Sequence, residues 1–438
     1  MATKPAAQKS WMSADLTNRL MFLIMALFVF RFGSHIPVPG VDPVELNRLF
    51  ESASGGWLGM LNMFSGGAIK RFSVLSLGVM PYISAAIIMQ MAGEIIPQLK
   101  ALKKEGEAGR RVITKYTRIG TVLLAALQAL ASAMFLRQQA NLITVSQSEF
   151  LLSCIVCLTT GTMFLMWLGE QVTERGVGNG ISMIICAGIA ANIPGGVAKL
   201  LQLSANGSIN LLVAILIVVG ALFLVWAVVF LESCLRKVPI HYPKRQVGNR
   251  IMQAQGSYLP FKLNMSGVIP PIFASSLILF PATMAGMLGD PANQGPVVTA
   301  ILRYFSHGTP VYLTVYTVAI VFFAYFYTAL VFSPKEIADN LKRGGAFIPT
   351  IRPGEQTALY LERVVLRLTF WGAIYIAVVC LIPEFLIKSL NVPFYMGGTS
   401  LLILVVVIMD FNVQLNSYRL SSQYERMLSR DKTLGARR

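Results

Sequence analysis

The sequence predicts an all-α polytopic membrane protein: ten transmembrane helices in two pseudo-symmetric five-helix halves, with a re-entrant helix between the first two spans. Three observations predict it. Hydrophobic residues make up 55% of the 438-residue chain and charged residues only 13%, a balance far from that of a soluble domain. Apolar runs of about 17 to 25 residues, the length a helix needs to cross the hydrocarbon core, recur along the whole chain. The basic residues fall between those runs instead of lining one face of a soluble surface.

The elements follow in order. A tail, residues 1–19, places Lys4 and Lys9 ahead of the first apolar run. No small-residue cleavage site follows that run, so Leu20 to Ile36 is read as a retained span and not as a removed leader. The segment from Trp57 to Arg71, WLGMLNMFSGGAIKR, is apolar but too short to span, carries Gly and Ser, and ends in two cations. Irregular backbone at membrane depth is tolerated only where protein or cavity water surrounds it. That argues for a helix re-entering from the outer face; an amphipathic surface helix is the alternative. Spans at Ser73–Ile96, Ile119–Leu136, Phe150–Leu168 and Ile181–Leu200 complete a first half, residues 20–203. Spans at Ile209–Leu231, Val268–Leu288, Val311–Phe332, Leu366–Leu386 and Thr399–Val413 form a second half, residues 204–418, before a tail at 419–438. Pro81, Pro194, Pro270, Pro271 and Pro281 interrupt spans in the manner of the broken helices of transport proteins. Five spans per half would set the halves in opposite orientations, although no residue-level repeat is visible.

The net charge of +17 admits a nucleic-acid binder or a membrane protein obeying the positive-inside rule, and the distribution decides for the membrane. With the N-terminus inside, most of the 37 Lys and Arg lie in the tails and in the loops on the cytoplasmic side. Both termini are therefore predicted to be cytoplasmic. The loop at 234–265 carries six Lys or Arg and no acid, and the loop at 333–365 is mixed. Their length, aromatic residues and Pro/Gly punctuation exceed what setting topology needs, and point to docking of a polyanionic partner or a motor protein.

Chemistry-bearing constellations are sparse. Cys154 and Cys157 form a CxxC inside an apolar run, with no second pair and only His35, His241 and His307 elsewhere, so they read as small helix residues and not as metal ligands. Gly176, Gly178 and Gly180 depart from phosphate-cradle spacing and suit a tight turn between spans. Ionisable residues within spans mark ion or proton sites; the candidates are Arg31, Glu94, Glu170 and above all Asp410, although beside Asn412, Gln414 and Asn416 it better suits a polar, protein-facing helix end. The residues taken alone leave open a ten-span secondary transporter of a small solute.

Long motifs then stand in order along nearly the whole chain: FRFGSHIPVPGVD, NMFSGGA, LGVMPYISA, KKEGEAGRR, GTMFLMWLGEQVTERGVGNGIS, NMSGVIPPIFASSLILFPAT, YFYTALVFSPKEIADNLKRGGAFIPTIRPGEQT and PFYMGGTSLLILVVVIMDF. In these the chain resembles the bacterial SecY family, the channel subunits of the Sec translocon. The resemblance implies a clamshell of two halves around an hourglass pore, passing unfolded secretory chains across the inner membrane and releasing membrane segments sideways. It implies no catalysis, no metal and no cofactor.

By motif position the resemblance assigns a constriction of branched apolar residues to Val79, Ile83, Ile181, Ile185, Ile272 and Ile403. It assigns a plug to the re-entrant segment at about 57–71, with Leu58, Met60, Phe64, Ser65, Gly66 and Gly67. A lateral gate falls on Ser84, Gln90 and Ser275. Docking of the ribosome and of SecA falls on Lys244, Arg245, Arg250 and Arg352, with Asn249 standing where a second basic residue is common. The implied partners are SecE, SecG, the ATPase SecA, the ribosome, signal-bearing nascent or precursor chains and membrane lipid, extending to SecDF and YidC.

Overall fold

The computed structural model describes residues 14–42, 44–46, 48, 65–137, 145–207, 210–242, 245–247, 250–252, 256–287, 309–390 and 397–435. Every expected span falls on a helix. In the first half these are α1 (Ala14–Gly33), α2 (Met80–Ile95), α4 (Glu107–Arg137), α5 (Gln147–Arg175) and α6 (Gly180–Ala205), with a short α3 (Pro97–Lys104) between α2 and α4. In the second they are α7 (Leu211–Glu232), α8 (Ile269–Met287), α9 (Pro310–Val331), α11 (Glu355–Leu390) and α12 (Gly398–Gly435), with a short α10 (Pro334–Arg343) after α9. Among the described residues eight helices are long and apolar enough to cross a bilayer; α2 and the described apolar part of α8, Ile269–Ile278, are shorter.

The shortness of α2 has a local cause. The expected span begins at Ser73, but Ser73 to Val79 form turns, with Gly78 in the left-handed region at φ +58°. The helix starts only at Met80, where Pro81 fits the first turn because its missing N–H would have had no helical partner. This non-helical backbone is sheltered by protein, as membrane depth requires: Ser73, Leu75, Ser76 and Val79 are all buried. Its start is tied back to the end of α1, since Val38 N–H donates to Phe72 O at 2.9 Å and Val74 N–H to Ile36 O at 3.0 Å.

The second difference is on the loop side. The basic loop contains four short strands, which the all-helical reading did not foresee. Strand β1 (Leu235–His241) pairs antiparallel with β4 (Gly256–Lys262), and β2 (Arg245–Val247) with β3 (Arg250–Met252). The hairpin closes onto the other large loop through a two-way backbone bridge: His241 N–H donates to Phe347 O at 2.9 Å, and Phe347 N–H to His241 O at 3.0 Å. Val238 and Phe261 of the hairpin share a small apolar core with Ile348, Leu361 and Val365.

Two larger apolar clusters fill the helical body. One joins α1, α5 and α6 to the starts of α8 and α12; the other joins α8, α9, α11 and α12 to α2. The halves meet where α12 packs on α6, and again where α8 packs on α2 and α4.

Candidate channel constriction and docking face

The six residues expected to form the constriction come from four separate segments. Val79 is the last turn residue before α2, and Ile83 lies one turn into it. Ile181 and Ile185 open α6, whose first amides are capped by Asn179: its Oδ1 accepts from Ile181 N–H at 3.1 Å and Ser182 N–H at 3.4 Å. Ile272 sits in the first turn of α8, and Ile403 in the second turn of α12. All six lie in one apolar cluster with Leu23, Phe30, Leu168 and Val407. Val79, Ile185, Ile272 and Ile403 are buried, Ile403 at 1% exposure; Ile83 and Ile181 are half-buried. The six side chains themselves carry no donor or acceptor.

Of the expected plug, Leu58, Met60 and Phe64 lie outside the described residues. Ser65 to Gly67 form a turn rather than a helix, because Gly66 and Gly67 stand at φ +68° and +84°. Ser65 is buried. A Cβ on Gly66 would lie 2.9 Å from the backbone of Gly188 on α6, so only glycine permits this approach. Arg31, near the end of α1, donates to the Gly66 carbonyl at 2.8 Å.

The expected lateral-gate residues differ in exposure. Ser84 is half-buried and Gln90 exposed; Ser275 is buried and donates its hydroxyl to Ile272 O of its own helix at 2.9 Å. The apolar residues Ile83, Ile87 and Met91 of α2 share a cluster with Phe273, Ala274 and Ile278 of α8, and Phe273 stands edge-on to Phe323 of α9. Apart from Ile83, sequence reading did not single out these residues. Their one sequence signal was the four-residue spacing of Ile83, Ile87 and Met91 on a helix face.

On the loop side, Arg352 is exposed in the turn between Thr350 and Gly354, which have φ +69° and +108°. Its carbonyl accepts from the Thr357 hydroxyl at 2.9 Å. Arg245 and Arg250 lie on the paired strands β2 and β3, with Val247 opposite Arg250. Lys244 and Asn249 lie outside the described residues.

The ionisable residues in or beside the spans are engaged. Glu94 pairs with Lys103 at 2.7 Å and Lys100 at 3.2 Å, Glu170 with Arg118 at 2.7 Å, and Asp410 with Lys262 at 3.3 Å. Asp410, the best carboxylate candidate for ion coupling, is thus a half-exposed partner of a lysine on β4. Glu232 at the end of α7 and Glu384 in α11 are both buried, and sequence reading passed over them. Glu232 falls one residue past the expected span, and Glu384 is a single carboxylate in an otherwise apolar run.

A family model described as SecY matches residues 73–412. The chain is 50% identical over 437 residues to the protein translocase subunit SecY of Vibrio cholerae, covering 98% of both chains. It is 51% identical over 419 residues to that of Escherichia coli K12, covering 95% of this chain and 94% of the other. Among solved structures it resembles a protein-conducting channel with TM-score 0.65 at 18% identity, and Sec61 of the canine ribosome-channel complex from the endoplasmic reticulum with TM-score 0.65 at 19% identity. Each alignment covers 94% of both chains.

Proposed function

The chain belongs to the SecY family and is the pore-forming subunit of a protein translocase, a multi-pass membrane channel and not an enzyme; from that premise we propose that Val79, Ile83, Ile181, Ile185, Ile272 and Ile403 form its resting seal. The observation that carries the proposal is their convergence: branched apolar side chains from four segments of both halves share one cluster. A dry apolar constriction opposes hydrated ions, yet offers a passing polypeptide no specific bond that would hold it. A solute-transporter site would need the reverse, polar groups converging at mid-depth.

In this reading residues 20–203 and 204–418 are the two halves, and the segment at about 57–71, from Leu58 and Met60 through Phe64 to the turn Ser65–Gly67, is the plug. Ser84, Gln90 and Ser275 border the sideways exit for membrane segments. The loops at 234–265 and 333–365 dock the ribosome and SecA through Lys244, Arg245, Arg250 and Arg352. SecE, SecG, SecDF and YidC complete the assembly, in an inner membrane with both termini cytoplasmic. The ribosome is supported by the ribosome-bound state of the canine relative, and the orientation by the basic loops.

Ile403→Asn tests the seal. An amide in that cluster draws water in, so the resting ion conductance of the reconstituted complex rises about tenfold or more. Unchanged resting conductance in an assembled variant removes Ile403 from the seal.

A further inference from the structure

The root of α8 holds a buried carboxyl group that the channel reading leaves without a task. Glu232, Asn264 and Ser266 are exposed by only 4%, 3% and 5%. The Asn264 amide donates from Nδ2 to Glu232 Oε2 at 3.3 Å and to Gly267 O at 3.1 Å. Its Oδ1 accepts from the Ser266 hydroxyl and from Gly267 N–H, each at 3.0 Å. Both donors and both acceptor positions of one side chain are therefore used. Asn264 closes the turn that leads into α8 and ties that turn to the end of α7.

Two further elements hold the same root. A Cβ on Gly372 of α11 would lie 2.8 Å from Leu263 O, so that helix approaches the segment backbone to backbone. Lys262, two residues before Asn264, pairs with Asp410 of α12 at 3.3 Å. Ile272 follows within the first turn of α8, and Phe273, Ala274 and Ile278 pack toward α2. Ile278 lies nine residues beyond Ile269, where α8 begins, roughly 14 Å along the helix, so a tilt at the root is carried to the seam as a shift.

We propose that Asn264 and Glu232 are a positioning pair: their hydrogen bond sets the direction of α8 and thereby holds the constriction and the α2–α8 seam closed until a substrate signal enters. The proposal rests on the channel reading above. Losing the bond shifts the closed-to-open equilibrium by about tenfold, a common size for coupling between two parts of one protein.

The test uses the assembled complex in membrane vesicles with a precursor whose signal sequence is defective. Asn264→Asp sets two carboxyl groups against each other, and export of that precursor rises about tenfold. Crosslinking between Ile87→Cys and Ile278→Cys slows in the same background. Adding Glu232→Gln to Asn264→Asp restores a donor–acceptor pair between these two side chains with its polarity reversed, while the bond to the Gly267 carbonyl stays lost, so both readouts move back at least halfway toward the starting chain. A merely structural role lowers accumulation without changing signal stringency. Asn264→Asp that assembles and stays stringent, or a swapped pair as permissive as the single variant, overturns the proposal. Should Asn264→Asp fail to accumulate, Asn264→Ala takes its place with the same expected outcome, and loss of all three variants from the membrane assigns the pair to folding instead. A precursor with an intact signal is run alongside on the unsubstituted chain. Its failure to cross would count against the channel reading, whereas its passage with indifferent variants would count against the positioning pair alone.

Discussion

Gly161 and Gly195 are both glycines inside apolar helices, and the structure separates them. A Cβ on Gly161 of α5 would overlap the Val74 carbonyl in the turn before α2, whereas one on Gly195 of α6 meets nothing within 4 Å. Gly161→Ala must push two backbones apart and is expected to destabilise the complex by about 1–3 kcal/mol, read as a lower thermal midpoint in detergent. Gly195→Ala should be neutral or stabilising by up to ~1 kcal/mol, because alanine is the better helix former. Equal midpoints for the two variants would contradict the packing of α5 against that turn. Sequence alone could not tell these glycines apart, since the difference lies in a neighbour about 90 residues distant. The constriction residues were hidden in the same way. Ile and Val are the ordinary filling of membrane helices, and only the ordered motifs singled out Ile403 from Ile408, which is exposed.

At the scale of elements, span length and hydropathy made every membrane helix legible, because a bilayer imposes its thickness on the chain. Ends were less legible. The second span gave up Ser73 to Val79 to turns around Gly78, and the last helix runs on from Val413 to Gly435. The strands of the basic loop went unseen because their alternation is short and interrupted: in LRKVPIH only Val238 and Ile240 are buried. Those strands bear on how docking acts. The hairpin and the loop of Arg352 share one small core and one backbone bridge, so the two expected docking loops form a single surface. Arg352 itself is exposed, and its removal should cost folding no more than ~0.5 kcal/mol. Arg352→Glu is therefore expected to leave assembly unchanged while precursor export falls about tenfold or more, since reversing charge at a docking turn acts mainly on encounter with the partner. Wild-type export by that variant would take Arg352 out of the docking face.

Among the described residues, helices of the first and second halves meet where α6 packs on α12 and on α7, and where α2 and α4 pack on α8. The six proposed seal residues come from both halves, so in the channel reading separating the halves would widen the constriction. Ile87 and Met91 of α2 share an apolar cluster with Phe273 and Ile278 of α8. In the channel reading, apolar contacts of this kind can part toward lipid without stranding polar groups in hydrocarbon. The central claim is that a polypeptide passes through the cluster around Ile83. Its most direct test is a photo-crosslinking residue at Ile83 in the membrane-inserted complex, with a precursor stalled partway. The account predicts an adduct to the stalled chain that depends on a functional signal sequence. A verified intermediate that gives no adduct from Ile83, nor from Ile185, Ile272 or Ile403, would contradict it.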